Sequence, residues 1–176
     1  MSDSIALLRQ TLPAVLPRLR RFARTLAHNA PDADDLAQNT MERALARAEL
    51  WRAPAAEATS DQVEAAVRSW MFGIMKNTWI DDLRARKRER NVVGDHDPEN
   101  VADGSHRAME DGLSIAAAMQ RLPYDQQLAV SLVLVEGLSY QEAADVLEIP
   151  VGTLTSRLSR GRETLATLLD SAGATA

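Results

Sequence analysis

The chain has 176 residues, of which 45% are hydrophobic and none is cysteine, and its formal net charge is −5. This length is enough for one ordinary domain or for two small ones. The lack of cysteine excludes disulfide frameworks, thiol nucleophiles and cysteine-based metal sites. The three histidines, His28, His96 and His106, have no ligand-like spacing and are predicted to be solvated, so no metal or other cofactor is expected.

The residue pattern favours helices throughout. Ala, Leu, Glu and Arg dominate, whereas β-branched residues are sparse and period-two alternation is missing. No apolar run approaches the roughly 18 residues that span a bilayer, and the first residues lack the basic and then apolar pattern of a signal peptide. The sequence therefore predicts an all-α, cytoplasmic protein without membrane insertion.

A first amphipathic helix is predicted for "DADDLAQNTMERALARAEL", after Pro31 and with Asp32 as its N-cap. Its inward positions are small or apolar: Ala37, Thr40, Met41, Ala44 and Ala48. Its outward positions are acids and amides: Asp35, Gln38, Asn39, Glu42 and Glu49. Such a face repels phosphate, so it indicates either a basic protein partner or an ordinary solvated surface.

The longest helix is predicted from Asp61 to Arg90, capped by Thr59 or Ser60. Large apolar residues line two of its sides: Val63, Val67, Trp70, Ile74 and Thr78 on one, and Phe72, Met75, Trp79 and Leu83 on the other. A helix that is apolar on both sides is the central helix of its domain. Its tryptophans are therefore assigned to the core and not to base stacking.

A polar stripe runs between those two apolar sides, through Gly73, Asn77, Asp81, Arg84 and Arg88. An asparagine and an aspartate that lead into arginines on one face can bond base edges and phosphates together. The segment "RARKRER" at the end of the helix carries five basic residues against one acid, which favours a polyanion only weakly.

The next segment, Asn91 to Gly112, reverses the charge and is rich in acids and glycine. Because it contains few large apolar residues, it is predicted to be a flexible acidic linker. The chain is thereby divided into an N-terminal domain (1–91), a linker (92–112) and a C-terminal domain (113–171).

The C-terminal block is predicted to contain four helices. The first spans 113–122 and is stopped by Pro123, and the second spans 124–136 with Gly137 at its C′ position. A third starts after Ser139, which forms a capping box with Glu142, and a fourth spans 151–169. The short turn between the third and fourth helices, broken at Pro150, is typical of a helix-turn-helix.

The fourth helix has one buried stripe and one small, basic face. Leu154, Leu158, Gly161 and Leu165 lie on the buried side. The remaining surface carries hydroxyls and arginines: Thr153, Thr155, Ser156, Arg157, Ser159, Arg160 and Arg162. Only one acid, Glu163, is near them, whereas a merely solvated helix usually alternates charge signs. The face therefore favours entry into a DNA major groove, where arginine reads guanine and hydroxyls bond bases or phosphates.

Three segments together resemble conserved regions two and four of the extracytoplasmic-function (ECF) sigma factors of the sigma-70 family. They are "DADDLAQNTMERAL", "RSWMFGIMKNTWIDDLRARKRER" and "LPYDQQLAVSLVLVEGLSYQEAADVLEIPVGTLTSRLSRGR", in that order. The resemblance implies an all-α fold of two small helical domains, a region 2 bundle and a region 4 helix-turn-helix, joined by the linker. It implies a bacterial transcription initiation factor of stress-response type, with no enzymatic activity.

The resemblance also implies roles for particular residues. Asp34, Asp35, Gln38 and Glu42 match the helix that docks on the beta-prime clamp coiled coil of core RNA polymerase, which the factor binds together with the beta subunit. Asn77 and Asp81 match positions that recognise a flipped base of the melted minus-10 element, and Arg84 and Arg88 complete that DNA surface. Thr155, Ser156, Ser159 and Arg160, with Thr153 and Arg157 beside them, fall on the minus-35 contact face. An anti-sigma factor that clamps both domains is a further expected partner.

Two departures from the family pattern bear on specificity. Thr155 stands where many relatives carry Lys or Arg, and the loop "LWRAPAAEATS", which matches the segment completing the base pocket, is unusually rich in alanine. Two other classes of protein stay open: a sigma-like mimic that sequesters an anti-sigma factor, and an ordinary helix-turn-helix repressor. A mimic does not need Asn77, Arg84, Arg88 and Arg160 together, and a repressor leaves the N-terminal motifs unused.

Overall fold

The computed structural model describes residues 2–93 and 115–173, which are helical wherever they form regular secondary structure. Within these ranges the α-helices are α1 (Ser2–Leu26), α2 (Ala30–Ala46), α3 (Ser60–Val93), α4 (Ile115–Met119), α5 (Tyr124–Val130), α6 (Tyr140–Leu147) and α7 (Val151–Gly173). A 3₁₀ turn (Ala48–Leu50) follows α2, and a π-helical turn (Ser131–Val135) follows α5. The prediction of an all-α fold is confirmed. The predicted linker lies almost entirely outside the described residues, as do His96 and His106.

Helices α1, α2 and α3 form the N-terminal bundle. At its centre the rings of Phe22 and Phe72 pack with centroids 4.7 Å apart, and both side chains are fully buried. Trp79 is buried as predicted, whereas Trp70 is half-buried and only packs against the core. Burial on both sides of α3 confirms its prediction as the central helix. Helix α1, which carries two internal prolines, was not predicted.

The predicted start of α2 is wrong by a few residues. The N-cap is Asn29 and not Asp32: the Asn29 side-chain oxygen accepts a hydrogen bond of 2.8 Å from the Asp32 backbone N–H. Pro31 then lies in the first helical turn, where its missing N–H costs nothing because the first N–H groups of a helix have no partner within it. The Asp32 carboxylate instead faces Arg86 of α3 at 3.4 Å.

Two helices of the C-terminal block are shorter than predicted. Helix α4 ends at Met119 and not at Leu122. The residues before Pro123 form a tighter turn, in which the Leu122 N–H donates to the Met119 carbonyl three residues earlier. The predicted helix 124–136 stops being regular at Val130. A wide π-helical turn follows, in which the Glu136 N–H donates to the Ser131 carbonyl.

The helix-turn-helix formed by α6 and α7 agrees closely with its prediction. Ser139 and Glu142 make both bonds of the capping box, and Gly137 has the positive φ (71°) expected of a C′ glycine. Helix α6 ends at Leu147, and its C-cap residue Glu148 adopts the left-handed conformation with φ of 57°. Leu154 and Leu158 of α7 are buried, as is Gly161, whereas Leu165 is half-buried. Helix α7 is thus held against the rest of the unit by the predicted stripe.

Gly161 allows α5 and α7 to approach closely. A β-carbon at this position would lie 2.7 Å from a methyl group of Val130 and 3.4 Å from the Gln126 β-carbon. Gly161→Ala is therefore expected to lower the free energy of unfolding by about 1–2 kcal/mol, because overpacking outweighs alanine's better helix propensity. Chemical denaturation measures this, with Gly152→Ala as the control because a β-carbon there meets nothing within 4 Å. Equal stability of the two variants would contradict the packing argument.

The N-terminal and C-terminal units are in contact. Their buried side chains form one continuous cluster. Glutamines from the C-terminal unit reach the free carbonyls at the end of α1: Gln127 donates to the Thr25 carbonyl and Gln120 to the Ala27 carbonyl, both at 2.7 Å. These carbonyls have no partner within their own helix, so the second unit completes the C-terminus of α1.

Candidate functional sites

The outward face of α2 presents the residues that sequence analysis assigned to polymerase. Asp34, Asp35, Gln38 and Glu42 are all exposed, one or two turns apart on one helix. The Gln38 amide donates to the Glu42 carboxylate at 3.0 Å, which orders that pair. The face is acidic and amide-bearing, so it can accept hydrogen bonds from a basic protein surface.

A cleft between α2 and the C-terminal half of α3 extends that acidic face. It is lined by Asp32, Asp35, Leu36, Asn39, Trp79, Asp82, Ala85, Arg86 and Glu89. The Asp32–Arg86 ion pair bridges the two helices within it. Asp82 and Glu89 were not predicted as site residues, because they lie between the stripes that helical periodicity indicates.

The polar stripe of α3 is present as predicted. Asn77, Arg84 and Arg88 are exposed, with no hydrogen-bonding partner among the described residues except that Arg84 lies 4.0 Å from Asp81. Asp81 faces Arg43 of α2 at 3.5 Å. Arg43 was not singled out from the sequence because it comes from another helix. Asn77 lies about one helical turn before Asp81 on the same face, and Arg84 and Arg88 continue the stripe.

The exposed face of α7 carries the predicted minus-35 residues. Thr155, Ser156, Ser159 and Arg160 are exposed, and Thr153 is half-buried. The Thr155 hydroxyl donates to the Val151 carbonyl at 2.9 Å, so its oxygen keeps its lone pairs free to accept a bond. The Arg160 side chain has no ion-pair partner among the residues that the structure describes. This face can therefore offer a guanidinium and small hydroxyls to a groove.

Arg157 differs from the rest of the predicted DNA-binding set. Its Nε lies 3.3 Å from the Asp125 carboxylate of α5, and its side chain is only 30% exposed. The pair joins α7 to α5. A contact between Arg157 and DNA stays a prediction. In the structure, this arginine holds α7 against α5 through Asp125.

The capping box orients the turn that precedes α7. Hydrogen bonds from the Ser139 hydroxyl and the Ser139 backbone N–H hold the pKa of Glu142 below its ordinary value, and the charge of Arg68 on α3 lowers it further. The carboxylate therefore stays ionised well below neutral pH.

Among residues 2–93 and 115–173, no group of acids and histidines is arranged to hold a metal ion, and no helix is long and apolar enough to cross a membrane.

Two family models match the chain in separate parts. Residues 112–165 match the model described as "Sigma-70, region 4", and residues 12–76 match the "Sigma2 domain of PhyR". The chain is also 36% identical over 163 residues to the ECF RNA polymerase sigma factor EcfG of Rhodopseudomonas palustris, covering 92% of this chain and 84% of that relative. This chain belongs to the ECF RNA polymerase sigma factors. The resemblance predicted from the sequence is thus confirmed.

Other ECF sigma factors and solved structures agree with this assignment. SigM of Mycobacterium tuberculosis is 34% identical over 152 residues, which are 86% of this chain and 71% of that protein. The sigma factor RpoE of Bartonella quintana, crystallised with the anti-sigma factor NepR, superposes with a TM-score of 0.70 at 29% identity, covering 92% of this chain and 96% of that one. CnrH, crystallised with the cytosolic domain of CnrY, has the same fold, with a TM-score of 0.60 at 22% identity and coverage of 96% and 97%.

Membership in the ECF sigma factors settles the class of function. Sigma factors are transcription initiation factors of RNA polymerase, so the prediction of an initiation factor without enzymatic activity is confirmed. The helix-turn-helix identified from the sequence coincides with the region 4 match, and the N-terminal bundle with the sigma2 match.

Proposed function

We propose that this ECF sigma factor recruits core RNA polymerase through α2 and reads two promoter elements through α3 and α7. The observation that carries the proposal is the separation of three exposed surfaces of different chemistry. An acidic face lies on α2, an Asn–Asp–Arg stripe on α3, and a hydroxyl–arginine face on α7. Each type of surface suits one partner and repels or ignores the others.

The acidic face of α2 is proposed to bind the clamp coiled coil of the beta-prime subunit. Asp34, Asp35, Gln38 and Glu42 supply acceptors along about two turns of one exposed helix face, which suits a partner rich in Lys and Arg. Contacts with the beta subunit belong to the same proposal. The acidic face cannot serve DNA, because phosphate is repelled by carboxylate.

The stripe of α3 is proposed to capture melted minus-10 DNA. The Asn77 amide has both a donor and an acceptor free to read the edge of an unstacked base. Arg84 and Arg88 lie about two and three turns beyond Asn77 along the helix and are placed to neutralise neighbouring phosphates. The face of α7 is proposed to read the minus-35 duplex, with Arg160 as its central contact.

An anti-sigma factor is proposed as the regulator. RpoE of Bartonella quintana was crystallised with the anti-sigma factor NepR, and that structure covers nearly all of this chain. A partner that contacts both units at once would hold them together and hide their reading surfaces. We also propose that residues 92–112 act as the tether that lets the two domains, 1–91 and 113–171, bind separate promoter elements.

In vitro transcription with purified core polymerase tests the proposal directly. Addition of the chain, freed of any inhibitor, is expected to produce promoter-specific transcripts from its own genomic DNA. A sigma-like mimic would bind an anti-sigma factor and yield no transcript, whereas an ordinary repressor would bind DNA without core polymerase. Absence of promoter-specific transcripts on every genomic template would overturn the assignment of initiation to this chain.

Asn77→Ala is expected to weaken binding of single-stranded minus-10 DNA by about 2- to 10-fold, which corresponds to the loss of one hydrogen bond to a base. Fluorescence anisotropy of the holoenzyme with a labelled minus-10 oligonucleotide measures the change. Gln10→Ala is the control, because Gln10 is also an exposed amide of the N-terminal bundle but lies on α1, away from the stripe. Unchanged affinity in Asn77→Ala would remove Asn77 from the proposed site.

A further inference from the structure

The outward side of α1 is basic along most of its length. Between Ser4 and Leu26 the helix contains no acid and five arginines: Arg9, Arg18, Arg20, Arg21 and Arg24. Arg18 is half-buried, and Arg21 donates two hydrogen bonds of 2.8 Å to Glu136. The other three are exposed and have no ion-pair partner among the residues that the structure describes. We call these three, Arg9, Arg20 and Arg24, the α1 arginine row.

The arginine row differs from an ordinary solvated helix surface. Several basic side chains elsewhere in the bundle lie against carboxylates, as Arg86 does against Asp32 and as Lys76 does, at 3.1 Å, against Glu148. The row has no such partner, and like charges one turn apart, as in Arg20 and Arg24, destabilise a helix. The helix dipole favours a cation in the last turn, which accounts for Arg24 alone. The row is therefore retained without a local electrostatic benefit.

The three arginines lie on one side of α1. Positions 11 and 15 residues apart return to nearly the same helical angle, so Arg20 and Arg24 lie on the same side as Arg9. Along the axis, Arg20 and Arg24 are about 6 Å apart, and Arg9 lies about 16 Å before Arg20. The residues between them on this side are Pro13 and Pro17, both exposed, so no carboxylate interrupts the row. Such a row attracts a polyanion.

The row is close to the α3 stripe. Phe22, which lies between Arg20 and Arg24 in the chain, packs on Phe72 of α3 with ring centroids 4.7 Å apart. The axes of packed helices are about 8–10 Å apart, and Asn77 is five residues beyond Phe72, so the two arginines lie within about 20 Å of Asn77. A strand that advances about 3.4 Å per nucleotide, as in a duplex, covers this distance in about six nucleotides. A single strand held at the stripe can therefore reach the row.

We propose that the α1 arginine row binds phosphates of the single-stranded DNA that continues beyond the segment held by the α3 stripe. The inference rests on the proposed function of that stripe and adds a second DNA contact on the same bundle. The acidic face of α2 repels phosphate, so the outward sides of α1 and α2 select partners of opposite charge. Because phosphate contacts carry no sequence information, the row adds affinity for melted DNA and leaves promoter choice to the other surfaces.

Fluorescence anisotropy of the holoenzyme with two labelled single strands tests this. The short strand carries only the minus-10 element, and the long strand extends it by about eight nucleotides at each end. Arg20→Gln/Arg24→Gln is expected to weaken binding of the long strand by about 5- to 25-fold at about 0.1 M salt. The slope of log affinity against log salt concentration should decrease in magnitude by about 1.4, because each phosphate contact with a single strand contributes about 0.7. Binding of the short strand should not change.

Arg20→Lys/Arg24→Lys is the matched control. It keeps both charges at the same exposed positions, so the salt slope should stay as in the unmodified chain and most of the affinity for the long strand should remain. Circular dichroism and the affinity for core polymerase check that each variant is folded and forms holoenzyme. An equal loss in the lysine variant would contradict binding through charge.

The other outcomes distinguish the row from the stripe and DNA from a protein partner. If the glutamine variant binds the long strand as tightly as the unmodified chain, or loses as much affinity for the short strand as for the long one, the row does not hold the continuing strand. Weaker binding of core polymerase, with unchanged DNA affinity of the holoenzyme, would assign the row to an acidic surface of the polymerase instead. If the unmodified holoenzyme does not bind the short strand, the proposal for the stripe fails. A loss confined to the long strand would still support the row, and binding to neither strand would overturn both.

Discussion

Phe72→Ala is expected to lower the free energy of unfolding by about 3–5 kcal/mol. Phe72 is fully buried, and its ring packs on Phe22, which joins α3 to α1 at the centre of the N-terminal bundle. Removal of the ring leaves a cavity that three packed helices cannot close by a small shift. Both proposed surfaces of the bundle, on α2 and α3, depend on this packing.

Urea denaturation followed by tryptophan fluorescence measures this effect on the relevant unit, because the three tryptophans, Trp51, Trp70 and Trp79, all lie in the N-terminal bundle. Leu50→Ala is the control, since Leu50 is a large apolar residue of the same unit but is 61% exposed. The control is expected to change stability by no more than about 0.5 kcal/mol. A similar loss in both variants would show that the Phe22–Phe72 contact is not the centre of the bundle.

Arg160→Ala is expected to weaken binding of the minus-35 duplex by about 1–3 kcal/mol, or about 5- to 150-fold. Arg160 is exposed on the hydroxyl-rich face of α7, and no ion pair within the described chain competes for its guanidinium. Arg157 on the same helix is engaged with Asp125 and should matter less for direct contact. The measurement is a titration of holoenzyme against a duplex that carries the minus-35 half of a transcribed promoter.

The dependence of DNA binding on salt and on sequence distinguishes a contact of Arg160 with a base from a contact with a phosphate. If it reads a base, the loss should be larger on the cognate duplex than on a scrambled one, with little change in the salt slope. If it binds phosphate, the affinity for both duplexes should fall. The slope of log affinity against log salt concentration should then decrease in magnitude by about one. Arg121→Ala removes the same charge from an exposed turn of the same unit and serves as the control. Equal affinities in Arg160→Ala and Arg121→Ala would exclude Arg160 from the reading surface.

Local signals in the sequence were sufficient for the helix-turn-helix and for the central helix. The capping box of Ser139 and Glu142 and the positive φ of Gly137 depend only on nearby residues, so residue type and spacing identify them. The stripe of Asn77 and the face of Arg160 follow in the same way, because helical periodicity alone decides which side chains are exposed. Their roles in binding depend on partners and remain predictions.

Features that depend on distant residues or on unusual helices were missed. Helix α1 was not predicted. It contains Pro13 and Pro17, and proline is unusual in the interior of a helix. The π-helical turn after α5 has no distinct sequence pattern. Glu136 is 115 residues from Arg21 in the chain, so no periodicity could have joined them. The contact between the units therefore had to come from the three-dimensional structure.

Glu148 takes part both in the local end of α6 and in a contact between distant parts of the chain. Glu148 is the only non-glycine residue among those described that has a positive φ, and this conformation costs a side-chain-bearing residue about 1 kcal/mol or more relative to glycine. Glycine would thus make the better helix end, but it would give Lys76 no carboxylate to bind. The residue at this position is therefore unfavourable for the local backbone but makes a long-range ion pair. Glu148→Gly should make the helix-turn-helix locally more stable and, at the same time, less attached to its neighbour.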